Sequence, residues 1–348
     1  MIQLSKAYRF GGTYLLVNLL IVSLLFGLSA CGVTTLKTQT GVWSLAYNSQ
    51  GTQLIAGYGG LGSDYTVRIW NPPNPQAAPI VLTAQSEIVE QLALSSDNHR
   101  LAVGCRTRTI CLWDFTNLTV APAELSLTND LNTLAWKPNS PMLAVGVAVS
   151  VHDYRVQLWR VGDSTTELTE LAGHKADISA LVFSPDNRYL VATGADGIVW
   201  LWNMEHPNTM PTVLKGVGSP IWGAAFHPNQ SLLAAGCGDK VCVWDVQQPN
   251  IEPTVLSGHT QQVYAVAFSL DGQTLASGST DTTIRLWRYQ QPNTSATVLR
   301  GHNGGVRTLV FSPDGQSLTS GSLDGTIRLW NWQQQPITST ELIALPQP

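Results

Sequence analysis

A His, a Ser, an Asp and a Trp recur at fixed spacing near the C-terminal end of the chain. His302 is followed by the Ser after 18 residues, by the Asp after 22 and by the Trp after 28. A His, a Ser and an Asp are the residue types of a hydrolase triad, in which the imidazole activates the hydroxyl. The same spacing occurs twice, each time with a Trp, which favours a structural role over a catalytic one. The two sets are His259, Ser277, Asp281 and Trp287, and His302, Ser320, Asp324 and Trp330.

Other residues that could carry catalysis form only weak patterns. The glycines within residues 57–62 match the letters of a dinucleotide-binding motif, but this segment lies between two predicted strands and is interpreted as a Gly-rich turn. The sequence contains neither a P-loop nor a CxxC pair, and its 7 His show no metal-ligand spacing. We therefore predict a protein that is not an enzyme and that holds no cofactor and no metal ion.

Composition and charge limit the class of partner. The 348 residues include 19 basic and 23 acidic side chains, which gives a net charge of −4. Binding to the phosphates of a nucleic acid requires a basic surface, so this acidic balance argues against a nucleic-acid partner. Apolar residues make up 44% of the chain, which argues against disorder.

The N-terminal segment has the layout of an export signal. Lys6 and Arg9 precede an apolar run over residues 14–28. The run ends in Leu28-Ser29-Ala30-Cys31, which resembles the lipobox of bacterial lipoproteins. The resemblance implies that residues 1–30 are removed and that lipid on Cys31 attaches the protein to a membrane. An uncleaved membrane helix is the alternative, although the run is shorter than the roughly 20 residues that span a bilayer.

Trp residues recur through the rest of the chain with a period of 42 to 46 residues. Each period contains an apolar run, a polar turn, a second apolar run, a Gly/Ser/Asp turn and a third run that ends at the Trp. A fourth run follows, as at residues 253–259. Short alternating runs between turn signals are typical of strands. The recurring residues are Trp70, Trp113, Trp159, Trp202, Trp244, Trp287 and Trp330.

These periods resemble WD40 repeats, each of which forms one four-stranded blade of a β-propeller. Gly-His pairs such as Gly301-His302 and Trp-Asp pairs such as Trp244-Asp245 carry the resemblance. It implies an all-β fold, a seven-bladed β-propeller of four-stranded antiparallel blades, preceded by a cleaved helical signal peptide. The expected segments are the signal peptide at residues 1–30, a lipidated N-terminus and short linker at 31–40, the propeller at 41–345 and a tail at 346–348.

The resemblance also gives the two His-Ser-Asp-Trp sets a structural role. It implies that each set, here called a tetrad, is a buried hydrogen-bond network that ties a loop, a strand and a turn to the Trp indole. The fourth repeat is incomplete, because Ala192 stands where the tetrads have Ser. The first five blades are therefore expected to depend more on apolar packing than on this network.

Four further cysteines form two pairs, Cys105 with Cys111 and Cys237 with Cys242. Each pair brackets the predicted turn between the second and third strands of a blade. If the strand register follows that of the last repeat, the two members face each other at a distance that suits a disulfide. An exported protein reaches an oxidising compartment, in which such bonds persist. The alternative is that the cysteines are small apolar fillers between blades.

One position near the start of each first strand is predicted to line one end of the central channel, which the resemblance implies is the interaction face. Three aromatic residues and an Arg at one level of the structure are typical of a binding hot spot. Ordinary packing at the channel mouth is the alternative. In blade order the residues are Trp43, Glu90, Asn132, Ser179, Trp222, Tyr264 and Arg307.

Turn lengths suggest a groove at the same end of the channel. The hairpins between the second and third strands are predicted to be longer in blades 1 and 3 than in the other blades. The short turn of blade 2, between them, carries Arg106 and Arg108. Two ridges beside a basic notch would suit an acidic peptide or a peptide C-terminus. Solvated surface charge is the alternative for these arginines.

Two segments could supply the outer strand of the last blade. Residues 338–344 resemble the fourth strand that follows Trp287, and residues 33–37 resemble the one at 211–215. The C-terminal segment has the shorter connection and leaves the lipidated end free, so we expect it to close the ring.

Together these features predict a monomeric, lipid-anchored WD40-like propeller that serves as a protein-interaction scaffold on the extracytoplasmic side of a bacterial cell envelope membrane. The alternative is an envelope enzyme or a small-ligand-binding propeller that uses the channel mouth, because one fold can carry many functions. A convergent acid/base or metal cluster inside the channel would favour the alternative.

Overall fold

The computed structural model describes residues 8–10, 13–15, 40–60, 65–83, 89–162, 166–214, 218–292 and 294–342. From Thr40 onward these residues form seven four-stranded antiparallel sheets. Each sheet is built from four strands that follow one another along the chain, as expected for the blades of a propeller. We number the blades 1 to 7 in chain order and name their strands inner, second, third and outer. The predicted all-β, seven-bladed architecture is confirmed.

The inner strands lie at the channel and the outer strands at the rim. The inner strands are Thr40–Tyr47, Leu92–Leu94, Asp130–Trp136, Ile178–Phe183, Ile221–Phe226, Val263–Phe268 and Val306–Phe311. The second strands are Leu54–Gly60, Arg100–Arg106, Met142–Ser150, Tyr189–Gly194, Leu232–Cys237, Leu275–Ser279 and Leu318–Ser322. The third strands are Val67–Trp70, Thr109–Asp114, Asp153–Arg160, Val199–Asn203, Lys240–Asp245, Ile284–Trp287 and Ile327–Trp330. The outer strands are Ile80–Leu82, Ala123–Ser126, Thr166–His174, Thr212–Leu214, Thr254–Ser257, Thr297–Leu299 and Ser339–Leu342.

The core lies between neighbouring blades. The repeated Trp is the last or the next-to-last residue of each third strand; it is buried in six blades, and only Trp159 of blade 3 is half-exposed. A Trp side chain buries roughly 150–250 Å². At about 25 cal/mol per Å², each one stabilises the blade by on the order of 4 kcal/mol before entropic costs. Because each apolar cluster combines residues of two adjacent blades, no blade buries its faces alone.

The C-terminal segment closes the ring, as predicted. Ser339–Leu342 pairs with Ile327–Trp330 as the outer strand of blade 7. The competing segment at residues 33–37 lies outside the described residues. Blade 1 then packs on blade 7 without a shared strand among the described residues, since Val42 occupies the space beside Gly321. The Tyr47 hydroxyl also lies 2.7 Å from Thr319 Oγ1 across this seam.

The short part of the N-terminal segment that the structure describes differs from the predicted helix. Tyr8–Phe10 and Thr13–Leu15 pair as antiparallel strands. Aromatic and β-branched residues such as Tyr and Thr favour strand pairing, which accounts for the difference. The lipobox with Cys31 and the predicted cleavage site lie outside the described residues. Within the described ranges, no helix has the length and apolar character needed to cross a bilayer.

One of the two predicted disulfides is present. Cys105 and Cys111 are bonded, with Cα atoms 5.7 Å apart. The register of the blade 2 hairpin shifts between Gly104 and Arg106, so Cys105 is an extra residue that reaches across to Cys111. The bond therefore depends on a local irregularity, whereas the sequence argument placed the two cysteines directly opposite each other.

The second predicted disulfide is wrong, because Cys237 and Cys242 are free thiols, both buried. Cys242 pairs with Ala235, and Cys237 pairs with Lys240. The regular hairpin of blade 5 thus places the two cysteines diagonally instead of opposite each other. Burial, and the neighbouring Cys242, raise the pKa of the Cys237 thiol, which keeps it in the less reactive protonated form. The filler role, which was the alternative, fits this pair.

The hairpin of blade 3 is extended, as its turn length predicted. Its second and third strands have 9 and 8 residues, whereas those of blade 7 have 5 and 4. The extension ends in the exposed Val151. The tip of the corresponding hairpin of blade 1, at residues 61–64, lies outside the described residues.

Candidate binding site at the channel mouth

A β-bulge near the start of the inner strand presents one side chain of most blades to the channel. A bulge inserts an unpaired residue that bends the strand and redirects its side chain. In five blades the strand register skips a residue that the sequence analysis placed at the mouth. These residues are Trp43, Asn132, Ser179, Tyr264 and Arg307.

The other two blades reach the same level in their own way. In blade 5 the skipped residue is Gly223, which directly follows Trp222. In blade 2, Glu90 precedes the short inner strand Leu92–Leu94. All seven predicted residues therefore line one cavity of about 510 Å³ at the centre of the ring.

Blades 5, 6, 7 and 1 contribute a continuous cluster of three aromatic rings and one cation. The Arg307 Cζ lies 4.0 Å from the centre of the Tyr264 ring and 4.6 Å from the centre of the Trp43 ring. The Trp222 ring centre lies 5.3 Å from that of Tyr264. All four side chains are half-buried, so they are neither packed away between blades nor fully solvated. We call these four residues the aromatic arc.

Burial sets the electrostatics of the aromatic arc. Burial lowers the pKa of Arg307, while Tyr264 and Glu90 act in the opposite direction. A guanidinium keeps its charge even so, because its ordinary pKa is far above neutral pH. The mouth therefore holds a permanent positive charge that has been partly removed from water.

Blades 2, 3 and 4 give the other side of the mouth a polar and acidic character. Asn132 Nδ2 donates to Asp177 Oδ1 at 3.1 Å, and Ser179 Oγ donates to the Ile221 carbonyl at 2.5 Å. Among the described residues, Asn132 Oδ1 is buried without a hydrogen-bond partner. Glu90 is exposed at the same level. The mouth is thus divided between the aromatic arc and this polar side.

Gly223 is a residue of the site that the sequence analysis missed. Its φ is +51°, and a Cβ added there would lie 2.3 Å from the Tyr264 carbonyl oxygen. Only Gly meets both conditions, so the bulge of blade 5 and the close approach of blade 6 depend on it. The signal in the sequence was a Gly inside a predicted strand, which is typical of a bulge or a close backbone approach.

Of the two arginines of the predicted basic notch, the structure describes the side chain of Arg108 alone. Arg108 Nε lies 2.6 Å from Asp130 Oδ1, so its charge is paired within the chain. The Arg108 side chain is 62% exposed, and a surface pair of this kind contributes little to stability. The side chain of Arg106 lies outside the described residues. Of the described arginine side chains, Arg307 lines the cavity at the mouth, whereas Arg108 is paired beside it.

Both tetrads are buried networks, as the family resemblance implied. In blade 7, Trp330 Nε1 donates to Ser320 Oγ at 2.8 Å, and Ser320 Oγ lies 2.7 Å from His302 Nε2. His302 Nδ1 lies 3.0 Å from Asp324 Oδ2. Blade 6 repeats the chain with corresponding distances of 2.7, 2.8 and 2.9 Å. The Ser hydroxyl is 0% exposed in both blades, so no substrate reaches it.

The tetrads favour the ionised form of their carboxylates. Burial alone would raise the pKa of Asp281, but hydrogen bonds from Thr283, the Thr260 N–H and His259 outweigh it. They lower the pKa from 3.8 to about 2. Because the folded-state pKa is below the unfolded one, Asp281 stabilises the fold above about pH 4, and this contribution is lost as the pH falls towards 2.

Blade 4 shows what the missing Ser does. His174 Nδ1 lies 3.0 Å from Asp196 Oδ2, as in the complete tetrads. The other ring nitrogen, Nε2, is buried without a partner among the described residues. The buried Ala192 occupies the position of the Ser and offers no hydroxyl.

Comparison with known proteins agrees with this architecture. The family model of the WD domain, G-beta repeat (WD40) matches residues 31–71, 79–114, 165–203, 209–245, 252–288 and 293–331. These segments leave out most of blade 3, whose hairpin is extended and whose Trp159 is half-exposed. The described residues contain no group of three or more His, Cys, Asp or Glu side chains that could hold a metal ion.

Relatives of this chain occur in organisms that differ widely from one another. Transcription initiation factor TFIID subunit 5 of Caenorhabditis elegans is 28% identical over 179 residues, which are 50% of this chain and 26% of the relative. A WD repeat-containing protein of Synechocystis sp. is 28% identical over 159 residues, 45% of this chain and 44% of the relative. Serine-threonine kinase receptor-associated protein of Dictyostelium discoideum is 25% identical over 191 residues, 55% of this chain and 60% of the relative. The chain spans less than two thirds of the length of each of these relatives. With the family model matching well over half of its residues, the chain belongs to the WD40 family of β-propeller proteins.

Proposed function

We propose that this protein is a scaffold that binds a protein partner at the channel mouth, through the aromatic arc. WD40 propellers are typically protein-interaction scaffolds, so the general role follows from the family. The observation that supports the location is the half-buried cluster of Trp43, Trp222, Tyr264 and Arg307 at one level of the ring. Trp, Tyr and Arg are the residues most enriched among binding hot spots, which lie near the centre of an interface.

The aromatic arc retains apolar surface that a partner can bury. A buried aromatic anchor at the centre of an interface typically contributes 2 kcal/mol or more to binding. The polar side of the mouth, with Asn132 and Glu90, can orient the partner by hydrogen bonds. We therefore expect the aromatic arc to supply most of the affinity and the polar side to fix the orientation of the partner.

Replacing both Trp222 and Tyr264 with Ala is expected to reduce partner retention by about 30-fold or more, which corresponds to at least 2 kcal/mol. The measurement is an affinity pull-down from membranes with the full chain as bait, followed by titration of the retained protein. Circular dichroism checks that the variant keeps its β-sheet content.

The matched control is Leu270→Ala, which truncates an apolar side chain that is 51% exposed in a turn between an inner and a second strand. That turn lies at the opposite end of the channel, so retention should not change. If the aromatic variant retains its partner while Leu270→Ala releases it, the proposed face is the wrong one.

We further propose that the protein is a monomeric lipoprotein of a bacterial cell envelope, anchored by lipid on Cys31. The support is the apolar run that ends in Leu28-Ser29-Ala30-Cys31. More than one acyl chain gives stable attachment, which a single chain does not. Removal of residues 1–30 would leave a body with net negative charge, so the lipid would be the main membrane attachment.

Cys31→Ser is expected to move the protein from the membrane fraction to the soluble extracytoplasmic fraction or to leave it unprocessed. Cell fractionation with immunoblotting measures this, and labelling with a fatty-acid analogue should be lost at the same time. A Cys31→Ser protein that is processed, labelled and membrane-bound like the parent would contradict the anchoring proposal.

A small-ligand-binding propeller is the second candidate, because the cavity of about 510 Å³ falls in the range of ligand pockets. Protein retention that depends on Trp222 and Tyr264 favours the scaffold.

A further inference from the structure

Two of the three aromatic rings at the channel mouth already have a cation of the protein itself over one face. Arg307 lies over both the Tyr264 and the Trp43 rings, at 4.0 and 4.6 Å from their centres. A ring face binds one cation within about 6 Å of its centre. Trp43 and Tyr264 therefore do not form an empty aromatic cage for a lysine-like ligand, because Arg307 already lies over both rings.

Stacking does not itself use the N–H groups at the edge of the guanidinium, of which one hydrogen-bonds to Tyr264. Arg carries five N–H donors in the plane of the group, in a fork that matches the two oxygens of a carboxylate. None of the described carboxylates forms an ion pair with Arg307; the arginine ion pairs of the described residues involve Arg108, Arg155 and Arg328. Glu90 acts on Arg307 only through space. Within the described part of the chain, the guanidinium is thus held in place with no carboxylate bonded to it directly.

The surroundings of Arg307 fit a carboxylate that belongs to a peptide. Trp43 and Tyr264 flank it on adjacent blades, and Trp222 extends the apolar surface beyond Tyr264. A side chain in the middle of a segment leaves chain on both sides to contact these rings and the polar side of the mouth. A peptide bound by its terminal carboxylate has chain on one side of that group only, so it would contact either the rings or the polar side of the mouth.

We infer that Arg307 anchors the partner by binding an Asp or Glu side chain of an extended segment, with apolar residues next to it on the aromatic arc. This inference rests on the proposed scaffold function and specifies its ligand. The two rings hold the guanidinium in place, so it loses little conformational freedom on binding. Most of the free-energy cost of removing it from water has already been incurred during folding. A charge-assisted, two-point hydrogen bond of this kind discriminates against a neutral amide by about tenfold or more.

The test uses pools of short, acetylated and amidated peptides with randomised neutral flanks that differ only in the central residue. The full chain in detergent is incubated with pools centred on Glu, Gln or Lys, and bound peptides are quantified by mass spectrometry. We expect the Glu pool to be enriched about tenfold or more over the Gln pool. Arg307→Gln and Arg307→Lys should both reduce this preference, since Lys lacks the planar fork.

The matched control is Arg300→Gln, which removes the same charge at an exposed position that does not line the cavity and should keep the preference. Equal enrichment of the Glu and Gln pools, or enrichment of the Lys pool, would overturn the inference. A further pool with a neutral centre and a free C-terminal carboxylate separates the two carboxylate sources. Arg307-dependent enrichment of that pool alone would show that the anchor takes a chain terminus, contrary to our inference.

The outcome is separable from that of the scaffold proposal. If partner retention depends on Trp222 and Tyr264 but the pools show no acidic preference, only the role of Arg307 fails. If retention is independent of the aromatic arc, the scaffold proposal itself fails, whatever the peptides do.

Discussion

Replacing Ser320 with Ala is expected to lower the free energy of unfolding by about 2–4 kcal/mol. The Ser hydroxyl joins Trp330 Nε1 to His302 Nε2, with distances of 2.8 and 2.7 Å, at a site with no solvent exposure. Its removal leaves both nitrogens buried without a partner, and each such group costs about 1–3 kcal/mol. Urea denaturation followed by Trp fluorescence measures the change.

Blade 4 provides the reverse experiment within the same chain. Ala192→Ser restores the missing hydroxyl beside the unpartnered His174 Nε2, and we expect it to stabilise the protein by about 1 kcal/mol. A gain in blade 4 together with a loss in blade 7 identifies the hydrogen bonds as the cause. If Ser320→Ala is neutral, the tetrad contributes no net stability and apolar packing alone holds blade 7.

Gly223→Ala is expected to destabilise the protein by about 3 kcal/mol or more and to disrupt the mouth. Its φ of +51° is unfavourable for a residue with a Cβ, and that Cβ would lie 2.3 Å from the Tyr264 carbonyl oxygen. Because a backbone carbonyl cannot rotate away as a side chain can, the inner strands of blades 5 and 6 must separate. Trp222 and Tyr264 would then move apart, so partner retention should fall together with stability.

Substitutions at two other glycines separate the two expected causes of the destabilisation at Gly223, which are the positive φ and the close contact with blade 6. Gly218 has a φ of +70° but nothing within 4 Å of an added Cβ, so Gly218→Ala carries only the backbone strain of about 1–2 kcal/mol. Gly162 has neither feature, and Gly162→Ala should be close to neutral. Equal effects at Gly223 and Gly218 would mean that the approach of blade 6 is not what requires Gly223.

Much of the fold could be predicted from the sequence because a blade is a local unit. The Trp spacing, the alternating runs and the turn residues lie within about 43 residues, so the number of blades and the membership of each tetrad were readable. The closing strand at Ser339–Leu342 was readable for the same reason, since it is the nearest segment to Ile327–Trp330. The mouth residues were found because the repeats could be aligned position by position.

The arrangement of the site depended on contacts between blades, which no single repeat encodes. A shift of one residue in register decided that Cys105 meets Cys111, while regular pairing kept Cys237 and Cys242 apart. The side chain of Arg307 on blade 7 is held by rings from blades 6 and 1, and Arg108 on blade 2 is paired by Asp130 of blade 3. The sequence by itself determined the blades and their tetrads, because their partners lie within one repeat. Only the tertiary structure decided which side chains of the mouth contact one another, because bulges and ring closure bring together side chains that are far apart along the chain.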